Sequence, residues 1–348
     1  MSDVMHTNAQ ATPPEARRRG RVKRALRCLA VGLLIGLLLL CVFSYNPLRT
    51  LASLQRVDDF PLYRMQYRGT YLFDSVAQKG MDRPLFRKLY RAVNSGACTS
   101  FVTSNAQGDV LFGRNFDWSH RSSLLLYTAP ARGYASVSMV DLYYLGLDKM
   151  LEIPWTKRLV LLAAPHAAID GMNECGVAIA QNAVPRRPTP RDPNKPTLLN
   201  SQIVRLVLDR ASDVNEAVAL IRQYHVEFAD VAVHFHIADA SGESAVVEYL
   251  DDGITVIRGH RSGQVSTNHL LSEENDSDCW RYRKASEMMG EVRAGTSWLE
   301  AMHLLEATSQ GNTVWSAVYN LCSGEIRLVM GRDYDRVHTF QLTMKRRE

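Results

Sequence analysis

The stretch GACTSFVTSNAQGDVLFGRNFDW, residues 96–118, decides how this chain is read. Apolar and polar residues alternate from Cys98 to Thr103, the pattern breaks at Gln107-Gly108-Asp109, and it resumes from Val110 to Arg114. That sequence of events predicts a β-hairpin. The hairpin brings Arg114 and Asp117 back beside Cys98, and a guanidinium close to a thiol favours the thiolate. Two readings of these three residues follow. In one, Cys98 is a nucleophile with its electrostatic partners. In the other, Cys98 is a small buried hydrophobe, and Arg114 and Asp117 form a surface ion pair. Spacing alone leaves both open.

Upstream of the hairpin, residues 46–97 are a mixed stretch. Leu85, Phe86, Leu89, Tyr90 and Val93 repeat at helical spacing behind Asp82, which predicts an amphipathic helix over 82–93. Downstream, PRRPTPRDPNKPT (185–197) carries five prolines in thirteen positions and reads as a surface loop. A helical region follows from Asn200 to Tyr224, broken near Ser212 and Asp213, where Asp213 with Glu216 makes a capping box. The runs VAVHFHIAD (231–239), SAVVEYL (244–250) and ITVIRG (254–259), separated by Ser241-Gly242 and Asp252-Gly253 turns, predict an antiparallel meander. Helices are expected at 280–293 and 297–308, the second opened by Ser297 with Glu300. Strands are expected near 313–320, 325–331 and 336–344. Residues 119–165 and 185–197 are expected to be loops that shape a pocket. Strands in runs with helices grouped between them indicate an α+β sheet sandwich faced by helices.

The chain has 348 residues, 46% hydrophobic and 22% charged, a globular composition. Its net charge of +5 resides in the first thirty residues, where seven basic side chains face Asp3 and Glu15. The remainder carries no net positive field, which argues against nucleic acid as a partner. Six cysteines are too sparse and irregular for a disulfide framework or a zinc ribbon. With Cys98 free, Cys175, Cys279 and Cys322 allow at most one disulfide, and no pairing follows from sequence.

From Cys28 to Tyr45 the chain reads CLAVGLLIGLLLLCVFSY without a charge. As a helix this run rises about 27 Å against a hydrocarbon core of roughly 30 Å. The basic cluster Arg17–Arg27 before it marks the cytoplasmic flank. The expected organisation is therefore a basic cytoplasmic tail (1–27), a transmembrane anchor (28–45), a linker or propeptide (46–97) and an extracytoplasmic domain (98–348). A cleaved signal peptide is the competing reading, but no small-x-small cleavage site follows the run.

Cys98-Thr-Ser followed by Gly113-Arg-Asn-Phe-Asp117 resembles the N-terminal-nucleophile (Ntn) amidohydrolases of the choloylglycine hydrolase superfamily. That group includes bile salt hydrolases, penicillin V acylases, acid ceramidase and N-acylethanolamine acid amidase. GMNECGVAIAQN (171–182), FHIADASGESAVVEY (235–249) and STN (266–268) match in order, so the resemblance covers roughly 98–345. It implies a four-layer αββα fold and hydrolysis of linear amide C–N bonds in small N-acyl amides, with neither metal nor organic cofactor. It further implies that Cys98 becomes the nucleophile once the Ala97–Cys98 bond is cut, with Arg114 and Asp117 beside it. Asn268 and Asn182 match oxyanion-hole asparagines, the second placed to within one residue. Arg281, with Arg283 competing, matches a late active-site arginine. The chemistry is self-consistent: no histidine neighbours Cys98 in sequence, and a freed α-amine, with a pKa of about 7.7 to 8.0, supplies a base on the same residue.

Rival readings remain. His234 and His236 lie on one face of a strand as a metal pair would, yet no third ligand accompanies them, and a sheet-facing role is favoured. His166 or His269 with Cys98 would make a papain-like pair. Asn173 and Glu174 read as turn residues. An acyltransferase on the same fold and a catalytically silent ligand-binding domain are the functional alternatives.

Overall fold

A computed structural model describes residues 45–79, 97–119, 122–148, 150–185, 192–228, 231–259, 263–273, 279–291 and 295–345. The chain divides into Met1–Leu48 and Arg49–Glu348. Of the first unit only 45–48 are described, as helix, and the second contains everything that follows. The charge-free run 28–45, apart from Tyr45, and the expected 82–93 helix lie outside the described residues. Among the described residues, no helix is long and apolar enough to cross a membrane.

Two large sheets form the second unit. The first runs, edge to edge, through β1 (Gln55–Asp58), β2 (Leu62–Gln66), β5 (Ser123–Thr128), β6 (Ser136–Asp141), β7 (Ala168–Asn173), β8 (Val177–Ala183), β11 (Val233–Asp239), β12 (Ser244–Leu250) and β13 (Gly253–Gly259). The second runs through β14 (Gln264–Ser266), β3 (Ala97–Ser104), β4 (Val110–Asp117), β15 (Thr313–Asn320), β16 (Glu325–Met330) and β17 (His338–Gln341). A short parallel ladder joins β9 (Thr197–Leu199) to β10 (His225–Glu227).

Period-two alternation sorts the side chains. Along β4, Val110, Phe112 and Phe116 enter the core between the sheets, while Leu111 faces the Trp298–Ala307 helix. Phe116 stacks on Trp315 with ring centroids 4.0 Å apart. On the outer face of the larger sheet, Ile203, Val207 and Leu208 of the Asn200–Arg210 helix pack with Ile179, Phe235 and Val247. On the outer face of the smaller one, Leu304 and Leu305 pack with Phe101 and Val318. The order is therefore helix, sheet, sheet, helix, a mixed sheet sandwich. Gly113 is fixed by this packing, because an added Cβ would collide with the Phe101 ring directly opposite.

The hairpin, the meander and the two late helices form at the expected places. The Asn200–Arg210 and Val214–Ile221 helices divide where Ser212 and Asp213 predict, with Asp213 accepting from the Glu216 N–H. The Ser297–Glu300 capping box closes reciprocally. Two segments differ from expectation. Residues 119–165 are not a loop, since they hold β5 and β6, whose apolar residues are buried. Residues 46–79 contribute β1 and β2 to the larger sheet, with β2 parallel to β5, and a short helix at Phe73–Lys79.

Candidate active site

The β3–β4 register places Cys98 opposite Phe116 and Ala97 opposite Asp117. Cys98 is 2% exposed and belongs to the core between the sheets. Arg114, two residues before Phe116, faces the same interior and is fully buried. Its Nη2 donates to the Gln181 carbonyl at 2.7 Å and its Nη1 to Asn182 Oδ1. Its Nε lies 3.5 Å from Asp170 Oδ2, and Asp170 also accepts from Trp315 Nε1 (3.1 Å) and the Tyr319 hydroxyl (2.6 Å).

The main chain of Cys98 is held at both ends. Its N–H donates to Asn268 Oδ1 at 2.5 Å, and its carbonyl accepts from Arg281 Nη1 at 2.5 Å. Arg281 also donates to Thr99 Oγ1 (3.3 Å) and Asn268 Oδ1 (2.8 Å), and lies 3.8 Å from Asp117 Oδ2. Asn268 Nδ2 donates to the Ala183 carbonyl at 2.6 Å. Asp117 accepts from Thr313 Oγ1 and Gln310 Nε2.

Burial pushes the Cys98 thiol up, opposed by the positive charge of Arg114 and of Arg281 and by an Asp117 backbone N–H, while the Asp117 charge adds to the rise. Burial also raises the Asp117 carboxyl, against hydrogen bonds from Thr313 and Gln310 and the two arginines. The thiol of the intact chain is therefore a protonated, enclosed group until something removes its proton.

The structure thus gathers Cys98, Arg114, Asp117, Asn268 and Arg281 around one residue. Arg281 rather than Arg283 reaches Cys98, and Arg283 is exposed. Asn182 faces the same interior, with Nδ2 donating to the Ser100 and Ser266 hydroxyls, each at 2.9 Å. The histidines have other partners. His166 bonds the Tyr71 carbonyl at 2.8 Å and His269 approaches Thr267 Oγ1 at 3.0 Å. His236 pairs with Ser100 Oγ at 2.9 Å, and burial lowers its pKa to about 3. Among the described residues no group of three His, Cys, Asp or Glu side chains is placed to hold a metal ion. Asn173 serves its turn, accepting from the Cys175 and Val177 N–H groups.

Sequence reasoning passed over Asp170 and the His234–Glu248 pair. Asp170 is a single acid in the apolar run 168–172, a pattern that demands a buried partner. His234 and Glu248 are equidistant from the turn at Ser241, so a two-strand hairpin centred there sets them side by side.

Residues 98–271, half of the chain, match the family described as linear amide C-N hydrolases, choloylglycine hydrolase family. The chain is 27% identical over 197 residues to a penicillin V acylase of Pectobacterium atrosepticum, covering 49% of this chain and 49% of that protein. It therefore spans about half the length of that relative. The fold is similar to penicillin V acylase from Agrobacterium tumefaciens (TM-score 0.52, 19% identity, 71% of this chain and 86% of the other). It is also similar to a variant of conjugated bile acid hydrolase from Clostridium perfringens (TM-score 0.52, 14% identity, 70% and 92%).

Proposed function

The chain belongs to the choloylglycine hydrolase family of linear amide C–N hydrolases, and from that membership we propose a membrane-anchored, extracytoplasmic amidohydrolase that cleaves small N-acyl amides through Cys98. The observation that carries the proposal is the two-sided grip on the Cys98 main chain, by Asn268 on its N–H and Arg281 on its carbonyl, beside buried Arg114.

In this reading the intact chain is a precursor. The Cys98 thiol adds to the Ala97 carbonyl, the Ala97–Cys98 C–N bond breaks to leave a thioester and a free α-amine, and water hydrolyses the thioester. The new amine then takes the thiol proton. The thiolate attacks the substrate carbonyl, and Asn268 Nδ2, released from the Ala183 carbonyl, donates to the developing oxyanion with backbone N–H groups. The α-ammonium passes its proton to the leaving nitrogen, and the amine product departs. Water, deprotonated by the α-amine, attacks the acyl-thioester and frees the acid. Arg114 and Arg281 favour the thiolate against the cost of burial, and Asp117 restrains Arg281. Asn182 acts from behind, linking Arg114 to Ser100 and Ser266.

The cut would separate the domain covalently from residues 1–97. Because β1 and β2 lie within the larger sheet, the N-terminal piece stays with the enzyme as a second, non-covalent subunit. Intact mass and N-terminal sequencing of the purified protein should show a fragment of 251 residues (348 − 97) beginning at Cys98, with Cys98→Ala remaining one chain. Full activity in an unbroken chain would overturn both the processing and the α-amine base. A reporter fused after residue 348 should be active only outside the cytoplasm, and cytoplasmic activity overturns the topology.

A further inference from the structure

Asn268 lies two residues beyond β14, whose ladder with β3 ends at Ser266 opposite Ser100. Strand pairing therefore does not hold it against Cys98. The larger sheet does, through two side chains that no step above uses. His234 of β11 brings Nε2 to 2.9 Å from the Thr267 carbonyl and 2.8 Å from Ser266 Oγ, immediately before Asn268. Its Nδ1 lies 3.1 Å from Glu248 Oε1 on the neighbouring β12. Glu248 then accepts from the backbone N–H groups of Leu271 (2.6 Å) and Ser272 (3.1 Å), just after Asn268. One His–Glu pair thus grips the 266–272 segment on both sides of the asparagine.

Both side chains are fully buried. Burying two ionisable groups carries a desolvation cost that a pair of apolar side chains would avoid at the same positions, so the fold alone does not call for them. The Thr267 carbonyl and the Glu248 carboxylate face the two ring nitrogens of His234 from opposite sides of the ring. The contacts extend further: Ser266 Oγ accepts from Asn182, and Asn182 accepts from Arg114.

We propose that His234 and Glu248 are positioning residues for the amidase reaction, a clamp that fixes Asn268 against Cys98 and connects it through Ser266 and Asn182 to Arg114. The inference rests on the role given to Asn268 above.

The test compares Glu248→Ala and Glu248→Gln in the full chain, purified in detergent, with N-acyl-7-amino-4-methylcoumarins of varied acyl length as probes. The Gln amide oxygen can take the Oε1 place and still accept from the Leu271 N–H while it meets His234 Nδ1, losing only the Ser272 bond, whereas Ala removes all three contacts. Counted per molecule processed at Cys98, kcat of Glu248→Ala should fall by up to about 100-fold with KM within about twofold of the parent, since misplacement of about 1 Å has an effect of that order. Glu248→Gln should keep most of the parental kcat. Hydrogen exchange of 264–271 should accelerate in the Ala variant and not in the Gln variant. A parental kcat and parental exchange in Glu248→Ala overturn the clamp, as does a Glu248→Gln enzyme no better than Glu248→Ala. If Glu248→Ala does not accumulate, Glu248→Asp, one methylene shorter, carries the same comparison. A parent that cleaves none of the probes defeats the hydrolase reading, while the exchange measurement still decides the clamp.

Discussion

Neutralising Asp170 should expose how much of the fold depends on compensating one buried charge. Arg114 and Asp170 are both fully buried, 3.5 Å apart. At an effective dielectric of about 20, Coulomb's law gives about 5 kcal/mol at such a separation. Asp170→Asn keeps the shape, since an amide oxygen can still accept from Trp315 and an amide N–H can donate to the Tyr319 hydroxyl. The substitution therefore removes mainly the charge and leaves Arg114 uncompensated, for an expected loss of about 3–5 kcal/mol. Urea unfolding in the Cys98→Ala background, which stays one chain, followed by tryptophan fluorescence, reads the loss, because Trp315 donates to Asp170 itself. The double variant with Arg114→Met separates charge from packing: it should be less destabilised than the two single changes taken together, by about 3 kcal/mol. A loss below about 1 kcal/mol for Asp170→Asn, or strictly additive changes in the double variant, would falsify the view that these two charges stabilise each other.

Cys98→Ala should abolish amide hydrolysis in a folded protein, and Cys98→Ser should keep at most a trace, because a hydroxyl is a far weaker nucleophile near neutral pH; turnover of Cys98→Ala equal to the parent's removes the central assignment. Burial pushes the Cys279 thiol up, but hydrogen bonds from His269 and Thr267, the Tyr282 backbone and the charge of Arg281 outweigh it and bring the pKa down to about 6. Iodoacetamide at neutral pH should therefore label Cys279 before the more exposed Cys322, and the reverse order on peptide mapping contradicts this. Burial raises the Asp58 carboxyl, but the Phe60 N–H, His338 and Arg336 together hold it below its usual value. Its stabilising effect is present above the unfolded pKa and lost as pH falls through the folded one. Asp58→Asn should thus flatten the acid limb of the stability curve, and an unchanged limb refutes the contribution.

Local chemistry made the hairpin and the meander legible, because turn residues such as Gly108 and Gly242, both at positive φ, punctuate clear alternation. The same holds for helix starts, where Ser297 and Asp213 reach the N–H groups that their types predict. β1 and β2 were not legible. Four and five residues of mixed polarity, QRVD and LYRMQ, give too few periods to count, and a parallel partner arriving after the hairpin leaves no mark in the local pattern. β5 and β6 escaped for the opposite reason: SLLLYT and SVSMVD are buried on both faces, so alternation fades. At the site, Cys98, Arg114 and Asp117 were readable because one hairpin carries all three. Asn268 and Arg281 needed the family resemblance. Glu248, which closes on a segment two strands away, is visible only once the sheets face each other.

β2 and β5 are side by side, Leu62 opposite Ser123 and Gln66 opposite Tyr127, and the Ala97–Cys98 bond lies between them along the chain. While that bond is whole, the two strands find each other within one molecule, and the rate of closure does not depend on how much protein is present. Once it is cut, the same pairing becomes a meeting of two species. Denatured mature protein should therefore regain its fold with second-order kinetics, slowing on dilution, whereas Cys98→Ala should refold at a concentration-independent rate. Under the proposed processing, scission would act as a ratchet: folding has to come first, and a cleaved molecule that opens at high dilution would not find its way back.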